Sequence, residues 1–148
     1  MKILKITKKD LDKDNYYIGE EDFSEYNKKY DGKIEIDCDL GTVRFKKGVY
    51  ASYSIEAKSG SGISAGWGIS AGSGISAGLE LSIGLNIFAG VSRHTNAQGD
   101  YKKITCSKLV KGTVCYGDLV ETGQKEISLS GKEVSIELDG KNYTAVIK

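Results

Sequence analysis

Apolar side chains recur every six residues through the middle of the chain. Each repeat places an aliphatic residue first, a polar residue next and a small or apolar residue third. The aliphatic positions are Ile63, Ile69, Ile75, Leu81 and Ile87, and the third positions are Ala65, Ala71, Ala77, Ile83 and Ala89. A period of six does not match the spacing of an amphipathic helix. Apolar–polar–apolar triplets instead predict short strands that each bury one side.

The same spacing begins earlier in the chain. The pairs Val43 and Phe45, Val49 and Ala51, and Ile55 and Ala57 follow the rule, which gives eight units over residues 43–90. The step from Ile55 to Ile63 is eight residues, so we expect a small bulge or loop at "KSGSG".

Glycine follows the third position of the later units, at Gly66, Gly72, Gly78, Gly84 and Gly90. Glycine permits a positive φ or a close approach of neighbouring segments, which suits a corner between strands. Strand and corner in strict alternation predict a mainly β fold: a short hexapeptide-repeat β-solenoid of eight units, each stacked on the next. A flexible Gly/Ser tract is the alternative, but a linker does not require isoleucine in phase.

The segments on either side are interpreted as caps on the solenoid. Before it, Thr7 or Asp10 is placed to begin a short helix through residue 17. Alternation at Ile34, Ile36, Cys38 and Leu40 then predicts one strand that leads into the repeats. The chain is expected to be one domain, residues 1–148, with an N-terminal cap at 1–42, the solenoid at 43–90 and C-terminal β-strands at 91–148.

The C-terminal part reads as further strands. Two are predicted over residues 101–121, and a three-stranded meander follows, with turns at Ser130-Gly131 and Asp139-Gly140. Asp-Gly is a strong hairpin signal, because both residues tolerate the positive φ of the turn.

Composition narrows the function classes. The chain has 21 Lys+Arg against 20 Asp+Glu, a net charge of +1, with 19 Gly and no Pro. Balanced charge disfavours direct nucleic-acid binding. No apolar segment approaches the ~20 residues of a membrane-spanning helix, and no secretory leader is recognised, so a cytoplasmic protein without membrane association is expected.

No cofactor or metal is expected. The three cysteines lack a Cys-x-x-Cys pair and only one histidine is present, so a zinc site is not predicted. All three cysteines are interpreted as reduced core residues, with no disulfide between Cys106 and Cys115. The acidic runs at 20–22 and 37–39 lack the ligand series of a calcium loop and are interpreted as solvated.

His94 is the one residue that raises an enzymatic alternative. Hexapeptide-repeat acyltransferases use a histidine as general base, and His94 follows the last repeat. No partner residues for it are evident in the sequence, so a loop histidine is the preferred interpretation and no catalytic residue is assigned.

The aromatic residues favour binding instead. Seven tyrosine and tryptophan residues fall in the first half of the chain, interleaved with charge, and we expect them to form an interaction surface for a protein partner: Tyr16, Tyr17, Tyr26, Tyr30, Tyr50, Tyr53 and Trp67. Tyrosine and tryptophan dominate interface hot spots, because they supply large contact areas at low entropic cost. Solenoids can also stack end to end, so self-association into a homo-oligomer stays open.

Two resemblances extend this interpretation. The six-residue spacing is similar to that of hexapeptide-repeat parallel β-helices, although the slot two residues before each aliphatic one holds Ser61, Trp67, Ser73, Leu79 and Leu85 where that family prefers a small residue. The runs "GWGISAG", "IFAG" and "ITCSKLVKGTVCYGDLVETG", in this order over residues 60–123, resemble a group of bacterial and phage-encoded hexad-repeat proteins.

The second resemblance implies a particular kind of binding protein. It suggests a phage or mobile-element accessory factor that binds and inhibits a host macromolecule, such as a CRISPR-type defence effector, in the host cytoplasm. The alternatives are a reduced acyltransferase-like enzyme with His94 as base and a self-assembling structural element.

Overall fold

The chain is mainly β in its computed structural model, which describes residues 1–91, 99–123, 133–138 and 141–146. Fourteen strands are present in this part of the chain. They are β1 (Ile3–Ile6), β2 (Lys33–Ile36), β3 (Gly41–Phe45), β4 (Val49–Ala51), β5 (Ile55–Ala57), β6 (Ser61–Ala65), β7 (Ile69–Ala71), β8 (Ile75–Ala77), β9 (Glu80–Ala89), β10 (Lys103–Cys106), β11 (Lys108–Tyr116), β12 (Asp118–Glu121), β13 (Glu133–Leu138) and β14 (Lys141–Val146). Three short 3-10 helices span Lys8–Asp10, Tyr26–Lys28 and Gly99–Lys102.

Two multi-stranded parallel sheets contain the first twelve strands. One has the order β1-β2-β5-β8-β10-β12, and the other has the order β3-β6-β9-β7-β4, with β11 also paired to β9. Strands β3, β4 and β5 pair in the same order with β6, β7 and β8, each twenty residues further along. The long strand β9 then pairs with both β6 and β7, at a spacing of eighteen residues. From β3 to β8, consecutive strands therefore do not pair with each other; each pairs with the strand three repeats away.

This register aligns the predicted apolar positions into buried columns. Val43 pairs with Ile63 and Ile63 with Leu81, and all three are fully buried. Val49, Ile69 and Ile87 form a second buried column, and Ile34, Ile55, Ile75 and Ile104 form a third. The six-residue phase is confirmed as the core of the protein. Burial of each aliphatic side chain contributes about 1.5–3 kcal/mol, which explains why this phase is kept strictly.

The serines between the apolar positions were expected to face solvent, and this holds only in part. Ser64 and Ser76 are half-buried, and Ser70 is 7% exposed. Ser70 pairs with Tyr50 on one side and Phe88 on the other, so two large outward rings cover the small residue between them. The neighbouring strands, and not the repeat itself, decide the exposure of this position.

The glycines at one corner are required by close packing between repeats. A Cβ atom on Gly66 would collide with the carbonyl oxygen of Lys46, and one on Gly84 would collide with the carbonyl oxygen of Gly66. Neither glycine has a positive φ. The close approach of successive corners, and not the dihedral freedom of glycine, therefore explains the repeated glycine here.

The N-terminal prediction was wrong in two respects. The helix expected through residue 17 is a single 3-10 turn, Lys8–Asp10, in which the Asp10 carboxylate accepts hydrogen bonds from the Thr7 backbone N–H at 2.8 Å and the Thr7 hydroxyl at 2.9 Å. The strand expected through Leu40 ends at Ile36, because Asp39 adopts a positive φ of 57° in the turn before β3. Strand β1, which the sequence did not indicate, lies parallel to β2.

The C-terminal region contains more parallel structure than the sequence suggested. Residues 101–121 form three strands instead of two, and β10 and β12 join the first sheet in parallel. Strands β13 and β14 form an antiparallel pair in which Leu138 pairs with Lys141. The two predicted turns, Ser130-Gly131 and Asp139-Gly140, and the third strand of the meander lie outside the described residues.

Truncation of a residue in the central column tests the core. Ile69→Ala removes a fully buried side chain between Val49 and Ile87, and we expect a loss of about 2–5 kcal/mol in unfolding free energy. Urea denaturation measures this value. The control Ser76→Ala, at a half-buried outward position, should change stability by less than about 0.5 kcal/mol. A loss below 1 kcal/mol for Ile69→Ala would contradict the assigned core.

A second variant tests the corner. Gly84→Ala places a methyl group against the Gly66 carbonyl oxygen, and we expect a loss of about 1–3 kcal/mol from the forced backbone shift. Thermal denaturation followed by circular dichroism measures it. Leu85→Ala, at the next and exposed position, is the matched control and should leave the midpoint nearly unchanged. If both variants unfold alike, close packing does not explain the glycine.

Candidate functional site

An aromatic patch forms on the outward side of β4, β7 and β9. Tyr50 and Phe88 lie in register on either side of Ser70, and each is flanked in its own strand by buried core residues. Alternation along a strand therefore directs both rings away from the core. The Tyr50 ring lies over Gly48, where a Cβ atom would collide with it. Glycine at position 48 thus leaves room for the Tyr50 ring.

The corner next to these strands adds two exposed apolar side chains. Trp67 is 47% exposed and Leu85 is 59% exposed, and the Leu85 N–H donates to the Trp67 carbonyl oxygen at 2.9 Å. Both occupy the slot two residues before a buried aliphatic residue of the paired strands β7 and β9, eighteen residues apart. Together with Tyr50 and Phe88 they line a cleft of about 170 Å³.

Charged residues and a further ring border this patch. Tyr26 contacts Tyr50 edge to face, with the ring centroids 6.2 Å apart. The Lys47 ammonium lies 5.5 Å from the centroid of the Trp67 ring and forms a 3.0 Å ion pair with Glu25. The aromatic patch is therefore Tyr26, Tyr50, Trp67, Leu85 and Phe88, with Lys47 and Glu25 at its rim.

The size of the cleft limits what it can accept. A volume near 170 Å³ is close to that of a buried apolar cavity that holds a single benzene ring, about 150 Å³. A whole cofactor needs a pocket of roughly 300–1,000 Å³. The cleft therefore suits one apolar or aromatic side chain of a larger molecule.

The predicted interaction residues divide among several places. Tyr26, Tyr50 and Trp67 come together in the aromatic patch. Tyr53 lines a different groove, with Glu56 and Tyr101. Tyr30 is half-buried against the core, where its N–H donates to the Tyr50 carbonyl oxygen at 2.9 Å.

Tyr16 and Tyr17 lie beside β3 and take different environments. Tyr17 packs against Phe23 and Phe45, with ring centroids 5.1 and 5.7 Å away. Burial raises the pKa of the Tyr17 hydroxyl above its usual value. Tyr16 points into a separate groove with Arg44 and Lys46. The structure thus places three of the seven residues in one patch and distributes the other four.

Leu85 and Phe88 belong to the patch but were not predicted. Their sequence signal was present: Leu85 occupies the same slot as Trp67, and Phe88 occupies the polar middle position of its triplet. Large apolar residues in positions that the repeat otherwise fills with serine indicate an outward apolar surface. The predicted interaction surface was limited to tyrosine and tryptophan and therefore did not include these two residues.

The other candidate residues form no evident chemical centre. Glu20 and Glu21 are exposed, and Asp22 pairs with Lys28 at 2.8 Å, which together with bonds from Ser24 holds the pKa of its carboxyl well below the usual range. Asp37 and Asp39 are exposed as well. In the described part of the chain no three His, Cys, Asp or Glu side chains cluster as metal ligands. His94 lies outside the described residues.

The cysteines differ from the expectation of three core residues. Cys106 is buried, whereas Cys38 and Cys115 are exposed free thiols. Cys38 lies in the turn after β2, and Cys115 points outward from β11. Burial, assisted by the charge of Glu121, raises the pKa of the Cys106 thiol to about 11.

Thiol labelling tests these placements. At pH 8 we expect a disulfide-exchange reagent to titrate two thiols quickly, Cys38 and Cys115, because the thiolate is the reactive form and needs access. Cys106 should react only when the protein is unfolded, giving three thiols in denaturant. Three fast thiols in the native protein would contradict the burial of Cys106, and fewer than three after unfolding would indicate a disulfide.

Comparison with known proteins gives no match, whether to protein-family models, to curated proteins or to solved structures. Among the described residues, no helix has the length and apolar character needed to cross a membrane.

Proposed function

We propose that this protein is a non-enzymatic binding protein that docks a protein partner on the aromatic patch. The observation that carries the proposal is the cleft between Tyr50, Trp67, Leu85 and Phe88, which has the size of a side chain. Trp67 and Leu85 stay exposed at this cleft, and Tyr50 and Phe88 are half-buried. Contiguous exposed apolar surface on a folded protein often marks an interaction site. The partner would insert one apolar or aromatic anchor residue.

The composition of the patch supports a protein partner. Interfaces are enriched in tyrosine, tryptophan and phenylalanine at the centre and are polar at the rim. Here Lys47 and Glu25 pair at the edge of the Trp67 ring. A charged rim discriminates between partners, whereas the apolar centre supplies the affinity.

The scaffold proposed for this role is a short β-solenoid with three strands in each turn. The support is the repeated order of pairing, in which β3, β4 and β5 lie beside β6, β7 and β8, and β9 and β10 continue the series. Such a scaffold fixes the backbone positions of its surface residues through hydrogen bonds between strands. A partner that binds it therefore orders little backbone, which limits the entropic cost of association.

The resemblance to phage-encoded hexad-repeat proteins adds a specific hypothesis about the partner. It favours a host protein that the bound solenoid would inhibit, with a bacterial defence effector as the first class to test. The enzymatic alternative depends on His94, and no observation in the described part of the chain favours it. The same holds for a purely structural, self-assembling role.

Quantitative affinity capture tests the proposal. Immobilised wild-type protein, Trp67→Ala and Tyr53→Ala are each incubated with lysate of candidate host cells. Tyr53→Ala is the control, because Tyr53 is an exposed aromatic residue outside the patch. We expect a partner that wild type and Tyr53→Ala retain equally and that Trp67→Ala binds on the order of thirtyfold more weakly, since an anchor residue contributes roughly 2 kcal/mol or more. Circular dichroism checks that both variants are folded.

The single tryptophan gives a direct readout with the isolated partner. Trp67 is the only tryptophan of the chain. Binding of a partner that has no tryptophan should therefore shift the Trp67 fluorescence to shorter wavelength and protect Trp67 from a soluble quencher. Docking on this patch would be contradicted by a partner that binds Trp67→Ala and Tyr53→Ala equally and leaves Trp67 of the wild-type protein accessible to the quencher.

A further inference from the structure

A second groove, which shares no residue with the aromatic patch, crosses the outer side of β3, β6 and β9. Its volume is about 470 Å³. Arg44, Ser64 and Ser82 lie in register across it, and the small serines make its floor between larger side chains at the two sides. Tyr16 and Arg44 stand at one side and Val110 at the other. This volume falls within the range of small-molecule sites.

Two cations lie in this groove beside the Tyr16 ring. The Arg44 guanidinium lies 5.9 Å and the Lys46 ammonium 5.8 Å from the centroid of the Tyr16 ring. Neither forms a salt bridge with any residue that the structure describes. Two like charges beside one ring repel each other, and an anion bound between them would relieve this repulsion.

Some cations on the sheets have carboxylate partners. On the outer side of β2 and β5, Lys33 pairs with Glu56 at 2.6 Å and with Glu35 at 3.3 Å, and Lys58 pairs with Glu35 at 2.6 Å. Arg44 and Lys46 have no such partner among the residues that the structure describes.

Backbone hydrogen bonds fix the segment that carries Tyr16 beside Arg44. The Tyr17 N–H donates to the Arg44 carbonyl oxygen at 2.9 Å, and the Arg44 N–H donates to the Asn15 carbonyl oxygen at 2.8 Å. The Tyr16 N–H also donates to the Asp12 carboxylate at 2.8 Å. The segment that carries Tyr16 is thus held parallel to β3, and a ligand would meet a site already formed.

We propose that this groove binds a small phosphomonoester, with its phosphate on Arg44 and Lys46 and its hydroxylated body over Ser64 and Ser82. A guanidinium matches phosphate oxygens in a bidentate arrangement, and a dianion balances the two positive charges. Serine hydroxyls donate to and accept from a hydroxylated body.

Glu80 restricts the choice of ligand. It lines the groove on β9, two strands from Arg44 and two residues before Ser82, which places the Cα atoms of Glu80 and Arg44 roughly 12 Å apart. Its carboxylate accepts hydrogen bonds from ligand hydroxyls and repels a second anionic group. The site therefore selects a compact molecule with one phosphate over a polyanion such as nucleic acid.

Calorimetric titration with glucose 6-phosphate tests the proposal. We expect saturable binding that Arg44→Ala weakens on the order of tenfold, because a charge-assisted hydrogen-bond pair is lost. Lys9→Ala removes the same charge from an exposed position outside the groove and should leave the affinity unchanged. Trp67→Ala should also bind glucose 6-phosphate normally, which separates this site from the proposed protein interface.

Three further titrations identify the ligand class. Glucose should not bind measurably, inorganic phosphate should bind more weakly than glucose 6-phosphate, and a phosphoserine peptide should not bind more tightly than glucose 6-phosphate. Binding of inorganic phosphate with equal affinity would overturn the role of the hydroxylated body, and tighter binding of the peptide would overturn the small-ligand assignment. Absence of glucose 6-phosphate binding at millimolar concentration, or an equal loss in Arg44→Ala and Lys9→Ala, would overturn the site.

Discussion

The structure depends on the backbone hydrogen bonds between strands that lie eighteen to twenty-one residues apart. Parallel pairing at this spacing places Ile69 between Val49 and Ile87, and it brings the Gly66 backbone against the Lys46 and Gly84 backbones at the corner. A shift of one residue within a strand would move isoleucine out of the core. The six-residue phase, with one eight-residue step from Ile55 to Ile63 that keeps both residues buried, meets this constraint.

The same constraint arranges the surface. Outward residues of paired strands form rows across the sheet, so the residues at paired outward positions together form a continuous surface. Where the middle positions hold Tyr50, Ser70 and Phe88, an apolar patch results. Where they hold Arg44, Ser64 and Ser82, a polar groove results. The backbone hydrogen bonds between strands thus fix where each outward residue lies, and the chemistry of each row follows from its side chains.

The sequence predicted the repeated core well because burial is a local property of each triplet. The sequence predicted the segments before and after the repeats poorly. The alternation from Ile34 to Leu40 suggested one strand, but the turn at Asp39 interrupts it. Ser70 resembles Ser64 and Ser76 in sequence, yet its neighbours on adjacent strands bury it more deeply. Such effects depend on which strands pair, and pairing twenty residues apart is not visible in a local pattern.

The sequence predicted which types of residue form the candidate site, but not which individual residues come together. Tyr26, Tyr50 and Trp67 come together, whereas Tyr17 stabilises the packing around Phe23 and Phe45. Aromatic residues serve both purposes, and the register of the strands decides between them. Leu85 and Phe88 could have been found by asking which repeats carry a large apolar residue at an outward position.

Disulfide trapping tests the register on which both surfaces depend. With Cys38, Cys106 and Cys115 replaced by alanine, Ser64→Cys and Ser82→Cys place two thiols on directly paired outward positions. Adjacent strands lie about 4.8 Å apart, within the range of Cα separations that a disulfide spans. Mild oxidation should link this pair within one chain without loss of the fold. The control pair, Ser64→Cys with Asn86→Cys, is four residues out of register, roughly 13 Å further along the strand, and should stay reduced. A control pair that links as readily as the first, or a first pair that does not link, would contradict the account.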